Sequence, residues 1–184
     1  DVRSVYVVGS TIYAAHANVT AGLSISTNGG TSFTAKSFGN INANTVLGVY
    51  AQGSTVYAAT GIGLQISTNG GTTWAQIPAT AKRNFQTVAI APTNSQLLLA
   101  GAFFGGIYRS ADGGNSWSVV YDKHIGTQVL FHPTNSNQAL ASYAQYDFTL
   151  QRYYSYLAYS TDGGVQWKDA VFNGVGTKLE GDVL

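Results

Sequence analysis

Six carboxylates, Asp1, Asp122, Asp147, Asp169, Glu180 and Asp182, stand outside the repeated turns of this chain and are its candidate acids and bases. Hydrolysis of a glycosidic bond needs two of them across that bond, about 5 to 9.5 Å apart depending on the stereochemical outcome. Asp122 and Asp147 are the pair the sequence order offers, the first in a connection and the second in an insertion. Solvated loop acids are far commoner than catalytic pairs, so this catalytic assignment is the alternative reading. His16, His124 and His132 are scattered without metal-ligand spacing, and cysteine is absent, so neither a metal site nor a thiol nucleophile is expected. No Gly-x-Ser-x-Gly elbow occurs and the glycines fall in repeated turns, so no cofactor or phosphate cradle is expected.

A second kind of chemistry resides in Tyr146, Asp147, Arg152, Tyr153 and Tyr154, which put flat rings and charge into a surface otherwise rich in Gly, Ser and Thr. Tyr and Arg combine contact area with hydrogen-bonding ends and suit a sugar ring or a protein partner. The plainer reading is a longer hairpin that covers a sheet edge. Phe103, Phe104, Lys123 and His124 are weaker candidates of the same kind.

The elements that position these residues are repeats. Ser26-Thr27-Asn28-Gly29-Gly30-Thr31-Ser32-Phe33 returns as Ser67-Thr68-Asn69-Gly70-Gly71-Thr72-Thr73-Trp74. Two further copies are Ser110-Ala111-Asp112-Gly113-Gly114-Asn115-Ser116-Trp117 and Ser160-Thr161-Asp162-Gly163-Gly164-Val165-Gln166-Trp167. Their starts lie 41, 43 and 50 residues apart, the spacing of four-stranded propeller blades. Each turn is preceded by three short runs of alternating apolar residues with Gly, Asn and Ser between them, the signal of a meander. The spacing predicts an all-β protein, a β-propeller of four-stranded antiparallel blades. They span about 1–38, 39–79, 80–122 and 123–172, with 173–184 a closing or next-blade strand. No window supports a helix. One domain over 1–184 is expected.

These turns resemble the Asp-box, or BNR, repeat of sialidase, sortilin-type, xyloglucan-cleaving and photosystem-assembly propellers, and the resemblance covers about residues 1 to 172. It implies that the turn joins the third and fourth strands of a blade, away from the usual ligand end. Ser26, Asn28, Gly30 and Phe33 then have structural roles, as do Ser67, Asn69, Gly71 and Trp74, Ser110, Asp112, Gly114 and Trp117, and Ser160, Asp162, Gly164 and Trp167. Asn or Asp accepts bonds from nearby N–H groups, and Gly permits positive φ. Sialidases of this fold use three arginines, a Tyr paired with Glu and an acidic group. Here Arg3, Arg83, Arg109 and Arg152 are joined by one Glu, and the Arg-Ile-Pro motif is missing, which argues against that activity. A glycoside hydrolase of the xyloglucan-cleaving type, or a fragment of one, is the enzymatic alternative to a non-enzymatic scaffold or binding module that takes a glycan or protein on the loop end.

Composition narrows the partners. Charged residues are 9% of 184 and the formal charge is +1 without a basic run, which excludes binding by phosphate neutralisation. No apolar stretch is long enough for a membrane span. The lack of Cys and Met and the wealth of Gly, Ser, Thr and Tyr suit an extracellular or periplasmic protein. Asn18-Val19-Thr20 matches a glycosylation acceptor, a pattern common by chance in such a chain. The chain opens at Asp1 without Met, as expected of a processed product or an excised piece. Three architectures fit: a closed four-bladed ring, half-rings paired in a homodimer, or part of a larger propeller.

Overall fold

The computed structural model describes residues 1–17, 20–38, 45–122, 125–172 and 175–176. Alternating apolar residues pair as four antiparallel sheets of four strands each. The first blade comprises β1 (Val2–Val8), β2 (Thr11–His16), β3 (Leu23–Ser26) and β4 (Thr34–Lys36). The second comprises β5 (Val46–Gln52), β6 (Thr55–Thr60), β7 (Gly63–Ser67) and β8 (Ala75–Gln76). Third come β9 (Phe85–Ala91), β10 (Asn94–Ala102), β11 (Ile107–Ser110) and β12 (Ser118–Tyr121). The fourth comprises β13 (Ile125–His132), β14 (Asn135–Asp147), β15 (Arg152–Ser160) and β16 (Lys168–Asp169), followed by the short pair β17 (Val171–Phe172) and β18 (Val175–Gly176). The chain forms two compact units, Asp1–Val88 and Ala89–Leu184, divided within β9.

Each repeated turn joins a third to a fourth strand and is built around a buried serine hydroxyl. Ser26 Oγ donates to Asn28 Oδ1 at 2.9 Å and accepts the Gly30 N–H at 2.9 Å. Asn28 Oδ1 also accepts the Ser32 N–H at 3.0 Å. The other three copies repeat the donation from Ser to Asn or Asp and the acceptance from the second Gly. A backbone bond from the first Gly N–H then ties each turn to the start of its own second strand, at Ser10, Ser54, Gln96 and Asn137. Trp74, Trp117 and Trp167 donate their indole N–H to the carbonyl of the second Gly. Phe33 has no such donor, and its ring is largely exposed.

In the three copies with a hydroxyl at the seventh position, Asn and Asp interchange because that residue changes role. Asn28 Nδ2 donates to Ser32 Oγ at 2.9 Å, whereas Ser116 Oγ donates to Asp112 Oδ2 at 2.5 Å. A rotating hydroxyl satisfies either partner.

Blades within a unit pack face to face. In the first unit Tyr13, Ala15, Leu23 and Ile25 of the first blade meet Val46, Val49, Ala51 and Val56 of the second. In the second unit Arg109 Nε donates to the Gly163 carbonyl at 2.8 Å, carrying the third blade onto the turn of the fourth. Gly71 has φ 86° and Gly164 has φ 81°, and both are pressed against the preceding blade. A Cβ at Gly71 would lie 2.4 Å from Ile25 Cδ1, and one at Gly164 would lie 2.7 Å from Leu99 Cδ2.

The all-β expectation holds, with one 3-10 turn among the described residues, Pro78–Thr80, where Pro78 supplies the starting φ and the buried Thr80 Oγ1 accepts the Leu64 N–H at 2.9 Å. The insertion expected between the second and third strands of the fourth blade takes the form of a longer hairpin. It is strand nearly throughout, with an unbroken register from Ala139↔Ser160 to Asp147↔Arg152.

Gly164→Ala combines a left-handed backbone with overpacking against Leu99, and is expected to destabilise the chain by about 2 kcal/mol. Gly29→Ala meets open space and carries the backbone cost alone. Urea denaturation of the two variants should therefore rank Gly164→Ala clearly below Gly29→Ala.

Candidate functional site: an aromatic hairpin tip

The β14–β15 hairpin outruns the second hairpin of the first blade by five ladder pairs, since Ser142↔Leu157 occupies the place of Ala15↔Leu23. Its turn is Phe148–Gln151, with Gln151 at φ 53°. Asp147 holds this turn: its Oδ1 accepts the N–H of Thr149 at 2.9 Å and of Leu150 at 3.0 Å. Such an Asx turn is a structural use of the carboxylate.

Tyr146 and Tyr153 face each other across the ladder with ring centroids 4.9 Å apart, and Phe148 meets Tyr146 edge-on at 5.0 Å. Phe148 is 81% exposed, and Leu150 and Tyr153 are exposed beside it. The result is a three-ring tip held by its own contacts. Arg152 and Tyr154 lie on the opposite face of the hairpin. Tyr154 is 1% exposed, so its ring offers no surface for stacking, and its hydroxyl accepts Arg152 Nε at 2.6 Å. Strand period 2 carries this distinction, because adjacent tyrosines on a strand must face opposite ways.

Phe103 and Phe104 occupy the corresponding connection of the third blade, with centroids 4.5 Å apart and Phe104 largely exposed. Lys123, His124, Glu180 and Asp182 lie outside the described residues, as do Asn18 and the final 177–184 segment. Asp122 is exposed immediately after β12. Among the described residues no group of three or more His, Asp or Glu side chains converges as metal ligands, and no helix is long and apolar enough to cross a membrane.

Asp169, which no local motif singles out, sits in an aromatic clasp between the third and fourth blades. Tyr143 donates to Asp169 Oδ1 at 2.7 Å and Tyr121 donates to the same oxygen. The Tyr143 ring stacks on Tyr156 with centroids 5.1 Å apart. Burial, followed by the bond to Asp169, pushes the Tyr121 hydroxyl up to about 12 and that of Tyr143 higher still. Both phenols therefore stay protonated and act as donors at any physiological pH. Tyr121 ends β12 while Tyr143 and Tyr156 lie mid-strand, so no shared position in the sequence marks this cluster.

A model of the Sortilin-Vps10 family, described as sortilin, neurotensin receptor 3, matches residues 62–177. The chain belongs to the Sortilin-Vps10 family. Comparison with curated proteins gave no match. Among solved structures, an ancestral GH74 enzyme superposes with a TM-score of 0.75 at 24% identity, over 94% of this chain and 24% of that one. YCF48 bound to D1 peptide gives 0.61 at 16% identity, over 91% and 67%. The extracellular domain of a putative hybrid two-component system from B. thetaiotaomicron gives 0.61 at 13% identity, over 97% and 23%. These likenesses are of fold, and the fold is the β-propeller. The chain spans about a quarter of the length of the GH74 enzyme.

The carboxylates of the repeated turns titrate as turn caps. The hydroxyl and amide of Ser116 hold Asp112 at about 2, and the Gln166 amide and Ser160 hydroxyl lower Asp162. Both folded values are depressed, so their stabilisation is present above the ordinary carboxylate value of about 4 and is lost as the pH falls through the folded values, about 2 for Asp112. Asn28 and Asn69 carry no such dependence. In urea titrations, the Asp112→Asn/Asp162→Asn double variant should lose less of its midpoint than the parent between about pH 5 and pH 2.

Proposed function

We propose that this chain is a non-enzymatic binding module that takes a protein segment at the tip of the fourth-blade hairpin. The observation that carries the reading is the exposed cluster of Tyr146, Phe148 and Tyr153, held by the Asp147 turn and bordered by Leu150. Exposed aromatics on a fixed hairpin bury large areas on contact with little loss of conformational freedom, which is the chemistry of interface hot spots. The peptide bound by YCF48, a relative in fold alone, lends support to a protein partner. A working place outside the cytoplasm is part of the same proposal, supported by the extracellular domain among the fold relatives and by a composition low in charge and rich in Gly, Ser, Thr and Tyr.

A glycan is the competing occupant, because the Tyr153 ring could stack on a sugar. Hydrolysis is supported only by fold likeness to the GH74 enzyme. Asp147, one of its two candidate carboxylates, already caps the turn through Oδ1.

Probing the folded chain with a displayed peptide library and a glycan array, alongside a xyloglucan hydrolysis assay, separates these readings. Peptide ligands should emerge, and Phe148→Ala and Tyr153→Ala should each weaken them by about 2 kcal/mol, roughly 30-fold, with unchanged thermal stability. Peptide binding indifferent to both substitutions would sink the proposal. So would glycan binding alone, or turnover abolished by Asp122→Asn or Asp147→Asn.

A further inference from the structure

Two of the four repeated turns carry a step that can rearrange covalently. Asn28 and Asn69 are each followed by glycine, in Asn28-Gly29 and Asn69-Gly70, where the other two copies have Asp112-Gly113 and Asp162-Gly163. A further Asn-Gly step, Asn173-Gly174, lies outside the described residues. In such a step the glycine nitrogen can attack the asparagine Cγ, because glycine has no side chain to obstruct the five-membered ring that forms. The N–H proton passes to solvent base, the new N–Cγ bond forms, and the Cγ–Nδ2 bond breaks to release ammonia. Water then opens the cyclic imide. Opening at Cγ leaves aspartate, and opening at the backbone carbonyl leaves isoaspartate, with the main chain rerouted through the former side chain.

Both asparagines are exposed to the water the reaction needs, yet the polar atoms that must move are already engaged. The Gly29 N–H donates to the Ser10 carbonyl at 2.9 Å, and the Gly70 N–H donates to the Ser54 carbonyl at 2.8 Å. Asn28 Oδ1 accepts the Ser26 hydroxyl and the Ser32 N–H, while Nδ2 donates to Ser32 Oγ at 2.9 Å. Asn69 makes the same bonds with Ser67 and Thr73. The attacking nitrogen is thus tied to the start of the second strand and the carbon it would attack to the serine corner. Reaching the aligned approach that ring closure requires costs these bonds, so the turn must open first.

The aspartate product fits the same turn. Asp112 and Asp162 each accept the serine hydroxyl and the N–H of the seventh residue, and Ser116 turns its hydroxyl to donate to Asp112 Oδ2. Ser32 and Thr73 have the hydroxyl that makes this reversal. Isoaspartate has a methylene fewer in its side chain and a methylene more in its main chain, so it cannot reach both serine corner and seventh residue with the glycine still in place.

We propose that Asn28 and Asn69 are deamidation sites held shut by the folded turn, that opening of a turn releases them, and that Asn28 converts first. The order follows from the eighth residue. Trp74 pins the second turn through its indole bond to the Gly71 carbonyl at 3.1 Å, and Phe33 has no N–H to do the same. Conversion to aspartate adds two negative charges to a chain whose formal charge is +1, and gives the first two turns the carboxylate caps of the last two. The proposal rests on the turns and is independent of any ligand at the hairpin tip.

Peptide mapping by mass spectrometry tests it on the 184-residue chain aged at mildly alkaline pH, folded and in guanidinium chloride, with isoaspartyl methyltransferase scoring the isoaspartyl share. In denaturant Asn28 and Asn69 should convert at similar rates. In the folded chain both should slow by more than about tenfold, with Asn28 ahead of Asn69. Trp74→Phe should speed Asn69, and Phe33→Trp should slow Asn28, each by roughly fivefold, the worth of one hydrogen bond, with the other site unchanged. Ser26→Ala should bring Asn28 toward its rate in denaturant. If circular dichroism shows that this variant does not fold, the two aromatic exchanges carry the test. Equal rates in the folded and denatured chain overturn the proposal, as does a folded chain that converts at neither site or at Asn69 first. Folded rates indifferent to both aromatic exchanges overturn it as well.

Discussion

The buried serine hydroxyl at the start of each repeated turn is the interaction on which the blades depend. It donates to the Asx side chain and accepts the N–H of the second glycine, so both of its hydrogen-bonding roles are filled where water cannot reach. That closure bends the chain into a short fourth strand, places the second glycine of the second and fourth blades against the preceding blade, and in three blades sets the carbonyl that receives the tryptophan indole. A blade of about forty residues has little interior of its own. Fixing one corner of it also fixes the face it shows its neighbour.

From that corner outward the fold is legible in the sequence. Four repeated turns announce four four-stranded sheets, and the Asn and Asp copies with Ser32, Thr73 or Ser116 at the seventh position are equivalent because that hydroxyl can either give or take a hydrogen bond. Pro78–Thr80 escapes such a reading because a turn of three residues leaves no periodic trace, and its anchor, Thr80 bonded to Leu64, joins residues far apart in sequence.

The site is less legible. Tyr146 and Tyr153 stand out by composition, and the ladder brings them together. Tyr154 joins them by adjacency in the chain, yet strand geometry turns it into the interior. Phe148 is the most exposed ring of the tip, and nothing in its own position distinguishes it from a turn residue until the Asp147 cap is seen. Asp169 shows the opposite case: an ordinary-looking acid whose two phenol donors come from strands of different blades, a convergence no local pattern records.

The uninterrupted ladder from Ala139↔Ser160 to Asp147↔Arg152 makes the long hairpin a ruler with a parity rule. Each pair adds roughly 3.4 Å of reach and reverses the side to which everything beyond it points. Lengthening or shortening by two pairs would carry the aromatic tip in or out with its orientation intact, whereas a change of one pair would turn the rings toward the other side of the blade. Divergence in this family can therefore tune reach only in steps of two, and a single inserted pair would create a differently aimed surface at one stroke.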